Sequence, residues 1–372
     1  MGTRDYARFH IVLLDNKSCL LDNNTYMPGI PTTQLTYGTF GAYRWLLACS
    51  VVLTHLGPFN GAIAVQAFFI LSGYTAAWIL DNRYLNLNHG LAKFYLNRAL
   101  RIYPQYWLVV LLVIPITLRF PLIAFRIDGV MTMPTHLGQW LINIFCFGAA
   151  SQLGFTSDQL LVPPVWSLAV ELQWWCVMPL VMRYRSFRFL FLTAAFLYLC
   201  FVEMVTLATQ QWIPFVGFFA ALSGMFLFAF GLLLYWRKKR GWKDMPVKCA
   251  VIVAASLQIL SLAVICKMIS PPHAPEILWA ANIATIYALS GIDSSRIPLT
   301  FQQIDYIMVR LAYPVFLTHM AVGVLLIAAF PSLQYLSWQL FLAGLGASNA
   351  LALFLCVVIE TPVERLRRHF KC

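Results

Sequence analysis

The sequence predicts an all-α polytopic membrane protein, and three observations support that fold class. The chain has 372 residues, of which 60% are hydrophobic and only 11% are charged, whereas about 25% of residues are charged in soluble domains. Its mean hydropathy is +0.73. A helix needs about 20 apolar residues to cross a bilayer, and runs of that length recur from residue 40 onward. We therefore predict one membrane domain.

About ten apolar runs have the length of transmembrane helices. A further run at 137–150 is shorter and lies between Pro134 and Gly154, which favours a re-entrant or interfacial segment. The ten predicted spans are 40–58, 62–80, 104–118, 164–182, 189–208, 212–235, 248–266, 275–291, 309–330 and 338–359.

The basic residues predict the orientation of these spans. With ten spans and both termini in the cytoplasm, all but Arg119, Arg126 and Lys267 of the 26 Lys and Arg residues lie on the cytoplasmic side, as the positive-inside rule requires. Counting 137–150 as an eleventh span would place the basic cluster at 237–248 outside.

Polarity divides the chain into three parts. Residues 1–36 are polar and irregular, and we expect a cytoplasmic N-terminal tail there. Residues 37–362 form the predicted membrane domain, and residues 363–372 form a basic cytoplasmic C-terminal tail.

Composition argues against metal and nucleic-acid sites. The nine cysteines are scattered without C-x-x-C spacing, and most lie in apolar runs, so we predict no metal site and no disulfide framework. The net charge of +12 comes from basic residues at membrane borders. We therefore predict contact with membrane lipids and no nucleic-acid binding. The sequence leaves a homo-oligomer open.

An apolar run at 43–55 carries an arginine near one end and a histidine at the other. Arg44 and His55 are eleven residues apart, close to three helical turns, so a helix places both on one face and roughly 16 Å apart in depth. Ionisable residues inside a membrane helix are a functional-site hypothesis. The alternative is an interfacial arginine that snorkels and a histidine that caps the helix.

Arg98 and Arg101 end the next predicted cytoplasmic loop, just before Pro104. Their i, i+3 spacing aims both side chains the same way in a helical turn. Two guanidinium groups on one face suit a phosphate clamp. The alternative is contact with lipid headgroups.

Ser167 and Glu171 are i, i+4 neighbours on one face of the fourth predicted span. The predicted topology places them at the outer end, on the side of His55. A membrane carboxylate needs a partner or water. We therefore expect Glu171 to pair with His55, as a base and its orienting group or as two groups facing one acceptor. The alternative is ordinary polarity at a helix end.

Two weaker signals have mainly structural interpretations. Ser72-Gly73 lies in an aromatic run and favours close approach of two helices. His319 lies in the middle of the ninth predicted span, and we expect it to be bonded across helices rather than catalytic.

Taken together, these motifs resemble the acyltransferase family 3 of integral membrane proteins. Six motifs occur in that family's order, from near Arg44 to the end of the chain. One position departs from the pattern, because many members carry an acidic residue where Gln66 stands. The motifs are Arg44 with His55, F-F-I-L-S-G at 68–73, Arg98 and Arg101 with Pro104, W-S-L-A-V-E at 166–171, Tyr313-Pro314 through His319, and Glu360-Thr361-Pro362.

The resemblance implies a role for each candidate residue. His55 would be the catalytic histidine, and Glu171 would lie in the catalytic or acceptor region. Arg44, Arg98 and Arg101 would hold the phosphates of coenzyme A. The expected substrate-binding residues are Trp166, Ser167, Tyr313 and His319.

The resemblance also implies a function. Members of the family O-acylate extracytoplasmic glycans such as O-antigens and exopolysaccharides, and most act in the bacterial inner membrane. Their donor is a cytoplasmic acyl-CoA, most often acetyl-CoA. We therefore expect an O-acyltransferase whose partners are acetyl-CoA and a glycan or lipid-linked saccharide. Neutral His55 would deprotonate the acceptor hydroxyl, with an acyl-enzyme on His55 or Ser167 as the variant mechanism.

Two other classes of protein fit parts of the sequence. A glycan or lipid-linked sugar transporter without chemistry would also have ten spans and intramembrane ionisable residues, although no inverted repeat is visible. A non-catalytic membrane assembly subunit would bind no coenzyme A and would tolerate Arg98→Ala.

Overall fold

Helices dominate the chain, as the hydropathy pattern predicts. The computed structural model describes residues 40–61, 63–149, 159–209, 221–241, 246–265, 274–292 and 297–371. Over those ranges no β-strand is present. The predicted tail at 1–36 lies outside the described residues. We number the helices in chain order: α1 Gly41–Leu56, α2 Ile63–Ile79, α3 Gly90–Arg119, α4 Pro121–Ile127, α5 Leu137–Phe145, α6 Val165–Arg183, α7 Arg185–Thr209, α8 Ala221–Lys239, α9 Val247–Ile265, α10 Ala274–Ser290, α11 Leu299–Ala329, α12 Trp338–Leu355 and α13 Thr361–Lys371.

The predicted fold class is confirmed. Each of the ten predicted spans coincides with a helix, although the first part of 212–235 lies outside the described residues. In the described part of the chain, seven helices are long and apolar enough to cross a bilayer. The protein is therefore a polytopic membrane protein, while the count of ten spans and the cytoplasmic termini stay predictions.

The short run at 137–150 does not form a spanning helix. It gives α5, which has nine residues and ends at Cys146 in the left-handed conformation. Nine residues rise only about 13 Å, less than half the thickness of the hydrocarbon core. This length agrees with a segment that enters or lines the membrane without crossing it.

Two helices begin earlier than the apolar pattern predicts. Helix α3 starts at Gly90 and continues through Pro104, so Arg98 and Arg101 lie on a helix and not in a loop. Helix α11 has 31 residues and starts at Leu299. The extension of α3 carries Arg98 and Arg101 of the candidate site, and the extension of α11 carries Asp305. The basic C-terminal segment is also helical, and Arg367 on α13 donates a 2.5 Å hydrogen bond to Asn97 on α3.

Helices α2 and α8 pack with their backbones in contact. A Cβ atom added at Gly73 would lie 2.3 Å from the carbonyl oxygen of Phe228, and one added at Gly231 would lie 2.0 Å from that of Ile70. Small residues allow this separation between membrane helices. The predicted close approach of two helices is confirmed at Gly73, and the neighbouring Ser72 is buried.

Helix α1 runs parallel to α11 and antiparallel to α12. The Asp305 carboxylate on α11 accepts a 2.8 Å hydrogen bond from the backbone N–H of Ala42, at the start of α1. Near the other end of α1, His55 meets His319 of α11. The indole N–H of Trp45 donates to Asn349 on α12 at 2.8 Å. Helix α1, which carries both predicted ends of the site, is thus held by two neighbours.

Candidate active site

Helix α1 contributes a polar side chain to each of two separate clusters. Arg44 lies in its first turn and His55 in its last turn. At about 1.5 Å per residue the two positions are roughly 16 Å apart along the helix. Between them the buried side of α1 is apolar, with Leu47, Ala48 and Val51 in the core.

The first cluster, here called the arginine cluster, contains Arg44, Arg98 and Arg101 around Glu171. All three arginines act electrostatically on the Glu171 carboxylate. Arg98 and Arg101 lie one turn apart on α3, as their spacing predicts. A set of three guanidinium groups with one carboxylate keeps a net positive charge, which suits the binding of an anion.

Side chains from two other helices orient the arginine cluster. A guanidinium nitrogen of Arg44 donates to the Thr75 hydroxyl on α2 at 3.4 Å. The guanidinium carbon of Arg98 lies 4.5 Å from the centre of the Trp175 ring on α6, a cation–π contact. The Arg98 guanidinium also lies 5.4 Å from the Phe94 ring.

Glu171 lies with the arginine cluster, and its hydrogen-bond partner is Ser72. The Ser72 hydroxyl donates to the Glu171 carboxylate at 2.7 Å. The structure does not pair Glu171 with His55 as we expected, because His55 takes its partners from α1 and α11. The i, i+4 spacing along α6 predicts that Glu171 and Ser167 share one face of the helix. It does not predict the partners of Glu171, which depend on how α2 and α3 pack against α6.

The second cluster, here called the histidine cluster, joins His55 to His319. Nδ1 of His55 lies 3.1 Å from Nε2 of His319, and the ring centres are 5.1 Å apart. His319 is completely buried, whereas His55 is partly exposed. The expectation that His319 is bonded across helices agrees with this contact.

Backbone carbonyl groups assign the tautomers of both rings. Nδ1 of His55 lies 3.0 Å from the Val51 carbonyl oxygen, and Nδ1 of His319 lies 2.9 Å from that of Phe316. A carbonyl oxygen only accepts, so each Nδ1 carries the proton. The single Nδ1–H of His55 is then shared between two acceptors, the Val51 carbonyl and Nε2 of His319. The lone pair on Nε2 of His55 is left to act as a base.

A carboxylate that sequence reasoning missed faces the histidine cluster. Asp128 follows α4 and interacts electrostatically with His55. One of its oxygens accepts a 3.1 Å hydrogen bond from the backbone N–H of Val130. The Tyr335 hydroxyl donates to the Ile127 carbonyl at 2.9 Å and holds this segment. Asp128 lies in a predicted outer loop without a motif, so only a three-dimensional contact reveals it.

The remaining predicted residues lie near one or the other cluster. The Tyr313 hydroxyl donates to the Ile102 carbonyl at 3.2 Å, and Glu171 and Arg101 act electrostatically on the same phenol group. The Ser167 hydroxyl donates to the Pro164 carbonyl at 2.9 Å. Trp166 packs edge-on against Phe69 with ring centres 6.3 Å apart. Their roles in substrate binding stay predictions.

Gln66 has a buried cross-helix partner. Its side-chain oxygen accepts a hydrogen bond from the indole N–H of Trp279 on α10. An amide satisfies that indole without a charge. Within the described ranges, no three His, Cys, Asp or Glu side chains gather as metal ligands.

A family model matches most of the chain. The model of the acyltransferase family 3, described as an acyltransferase domain, covers residues 35–360. All residues of the arginine and histidine clusters fall within that range. No curated protein and no solved structure matches the chain.

Proposed function

We propose that this chain, which belongs to the acyltransferase family 3 and is an integral membrane acyltransferase, moves an acyl group from a cytoplasmic acyl-CoA to a hydroxyl of an extracytoplasmic glycan. The proposed donor is acetyl-CoA and the proposed location is a bacterial inner membrane. The observation that carries the proposal is the placement of a cationic cluster and a histidine base at opposite ends of α1.

The arginine cluster supports a site for the donor phosphates. Coenzyme A is polyanionic, and guanidinium groups bind phosphates through charge-assisted, often bidentate hydrogen bonds. With the predicted orientation, the three arginines of this cluster lie on the cytoplasmic side, where acyl-CoA is made. The charged end of the donor would stay there while its thin pantetheine arm reaches along α1 toward His55.

The free lone pair of His55 supports direct transfer. Nε2 of His55 would take the proton of the acceptor hydroxyl as its oxygen attacks the thioester carbonyl. The new C–O bond forms, the C–S bond breaks, and the proton passes from Nε2 to the leaving thiolate. The products are the acyl ester and free coenzyme A, and His55 returns to its neutral form.

An acyl-enzyme on Ser167 is the less favoured variant. The Ser167 hydroxyl is buried and donates to a carbonyl of its own chain. No contact joins it to His55 within the described residues. A nucleophilic serine needs a base within hydrogen-bond reach, so the geometry favours His55 over Ser167 as the reacting residue.

Donor binding by the detergent-purified protein tests the proposal. The variants are Arg98→Ala/Arg101→Ala and His55→Ala, with Arg183→Ala/Arg185→Ala as the control. The control also removes two predicted cytoplasmic charges, but at exposed positions outside the cluster. We expect wild type, His55→Ala and the control to bind acetyl-CoA, and the cluster variant to lose binding.

A turnover measurement distinguishes an acyltransferase from a transporter without chemistry. We expect wild type to release free coenzyme A from acetyl-CoA when membrane glycans are supplied, and His55→Ala to bind without release. Absence of specific acetyl-CoA binding by wild type would overturn the proposed donor and favour a transporter. Full transfer by a folded His55→Ala protein would overturn the proposed base.

A further inference from the structure

We infer that His319 is a positioning residue of the acyl transfer: it accepts the Nδ1 proton of His55 and so directs Nε2 of His55 toward the reacting groups. This inference rests on the proposed function, in which His55 is the base. It assigns to His319 a role different from the substrate-binding role that we expected from the sequence.

The burial of His319 separates it from the substrates. Its side chain has no exposed surface, and it lies on α11 among apolar residues such as Val315 and Met320. An acceptor sugar cannot reach a ring in that position. His55 is the partly exposed member of the pair, so His319 acts on the reaction through His55.

Each ring nitrogen of His319 has a hydrogen-bond partner. Nδ1 donates to the Phe316 carbonyl within the same helix at 2.9 Å. That bond fixes the ring and leaves Nε2 unprotonated, 3.1 Å from Nδ1 of His55. A buried polar atom without a partner is destabilising, so burial and the Phe316 bond together keep this nitrogen as an acceptor for His55.

The other partner of His55 cannot perform this task alone. The Val51 carbonyl lies one turn earlier on α1, where it also belongs to the backbone hydrogen-bond ladder of the helix. Without His319, the imidazole of His55 loses the one hydrogen bond that it makes to another helix in the described part of the chain. The ring would then be free to turn away from the Val51 carbonyl, and a ring that has turned can carry its proton on Nε2, which removes the base.

A carboxylate commonly performs this orienting task for a catalytic histidine. Here a neutral imidazole does so, and the charge of Asp128 acts from the loop after α4. A neutral acceptor stabilises the imidazolium less than a carboxylate would. We therefore expect the contribution of His319 to kcat to lie between about 10-fold and 1000-fold, below the ~10⁴-fold loss seen when an orienting aspartate is replaced.

Four substitutions in the full-length protein test this inference. His319→Gln keeps an amide oxygen at the reach of Nε2, whereas His319→Leu removes the acceptor. His319→Asn keeps a polar group that can bond to the Phe316 carbonyl but ends short of His55. Thr318→Val is the matched control, because Thr318 is buried beside His319 and donates only to the Pro314 carbonyl, at 2.8 Å.

The measurements are kcat, KM for acetyl-CoA, acetyl-CoA binding and the thermal midpoint in detergent. We expect His319→Leu and His319→Asn to lower kcat by at least about 10-fold with KM and binding unchanged. We expect His319→Gln to recover most of kcat, and Thr318→Val to retain it. If the His319→Leu variant does not fold, the comparison of kcat between His319→Asn and His319→Gln tests the inference.

Two results would overturn the inference and leave the proposed function standing. One is wild-type kcat in a folded His319→Leu or His319→Asn protein. The other is an equal loss of kcat in His319→Gln and His319→Asn with binding intact, because an acceptor at this position would then have no effect. Failure of the proposed function has a different signature: no donor binding by wild type, or full activity of His55→Ala.

Discussion

The hydroxyl of Ser72 donates a 2.7 Å hydrogen bond to the carboxylate of Glu171, from α2 to α6. This contact fixes Glu171 within the arginine cluster. The carboxylate therefore competes with any bound anion for the guanidinium groups of Arg44, Arg98 and Arg101, and it moderates the charge that a donor phosphate meets.

Replacing Glu171 with Gln should strengthen donor binding. The substitution removes one negative charge and keeps an acceptor for Ser72, so the cluster becomes more cationic. We expect the Kd for acetyl-CoA to fall by about 3- to 10-fold at low salt, with a smaller change at high salt because of screening. Titration of the purified variant at two ionic strengths measures this effect. An unchanged Kd together with a large loss of kcat would instead place Glu171 in the chemical step.

The Asp128→Asn substitution should slow turnover without affecting donor binding. Asn keeps the oxygen that accepts from the Val130 N–H but removes the charge that faces His55. That charge stabilises the imidazolium formed when His55 takes a proton. We expect kcat to fall by about 3- to 30-fold, which corresponds to roughly 0.7–2 kcal/mol. An unaltered kcat with a normal thermal midpoint would show that this charge does not act on the reaction.

Removing Asp305 should loosen the start of α1. Its carboxylate caps that helix from α11 through the Ala42 N–H. Loss of an N-cap is destabilising by about 0.5–2 kcal/mol, so Asp305→Ala should lower the free energy of unfolding and weaken acetyl-CoA binding through Arg44. Asp305→Asn is the control, because asparagine also caps well. Equal stability of the Ala and Asn variants would argue against the cap.

Glycines at the contact of α2 and α8 should not tolerate a methyl group. Gly231→Ala would place Cβ against the Ile70 carbonyl oxygen at 2.0 Å, so the helices must separate. We expect a loss of about 1–3 kcal/mol in stability. Gly346→Ala on α12 is the control, because nothing lies within 4 Å of its added Cβ and alanine favours a helix by up to about 1 kcal/mol. Thermal midpoints of both variants measure the difference, and similar values would refute close packing as the reason for Gly231.

The hydropathy pattern correctly located the membrane helices. It did not show that α3 and α11 extend beyond their apolar spans into polar sequence. The hydropathy pattern predicts a span that begins at Pro104. The structure extends α3 back to Gly90, where Asn97 bonds to Arg367 on α13. That contact joins residues 270 positions apart in the sequence, so no local pattern could indicate it.

The candidate site was predictable one helix at a time. Spacing correctly placed Arg98 and Arg101 one turn apart, and Arg44 and His55 at opposite ends of one helix. It led us to expect Glu171 as the partner of His55, which was wrong: the partner is His319, and the choice between two residues on other helices depends on packing. Nothing in the sequence distinguished Asp128 as a site residue, because single aspartates are common in loops and no motif surrounds this one.

The parallel pairing of α1 and α11 restricts how the length of this region can vary. Asp305 secures the first turn of α1, and His319 meets its last turn. Inserting or deleting one residue between Arg44 and His55 would turn His55 by about 100° and shift it by about 1.5 Å relative to Arg44. Either the cap or the histidine contact would then be lost. Variation between these two residues should therefore occur by substitution, with the number of residues held constant.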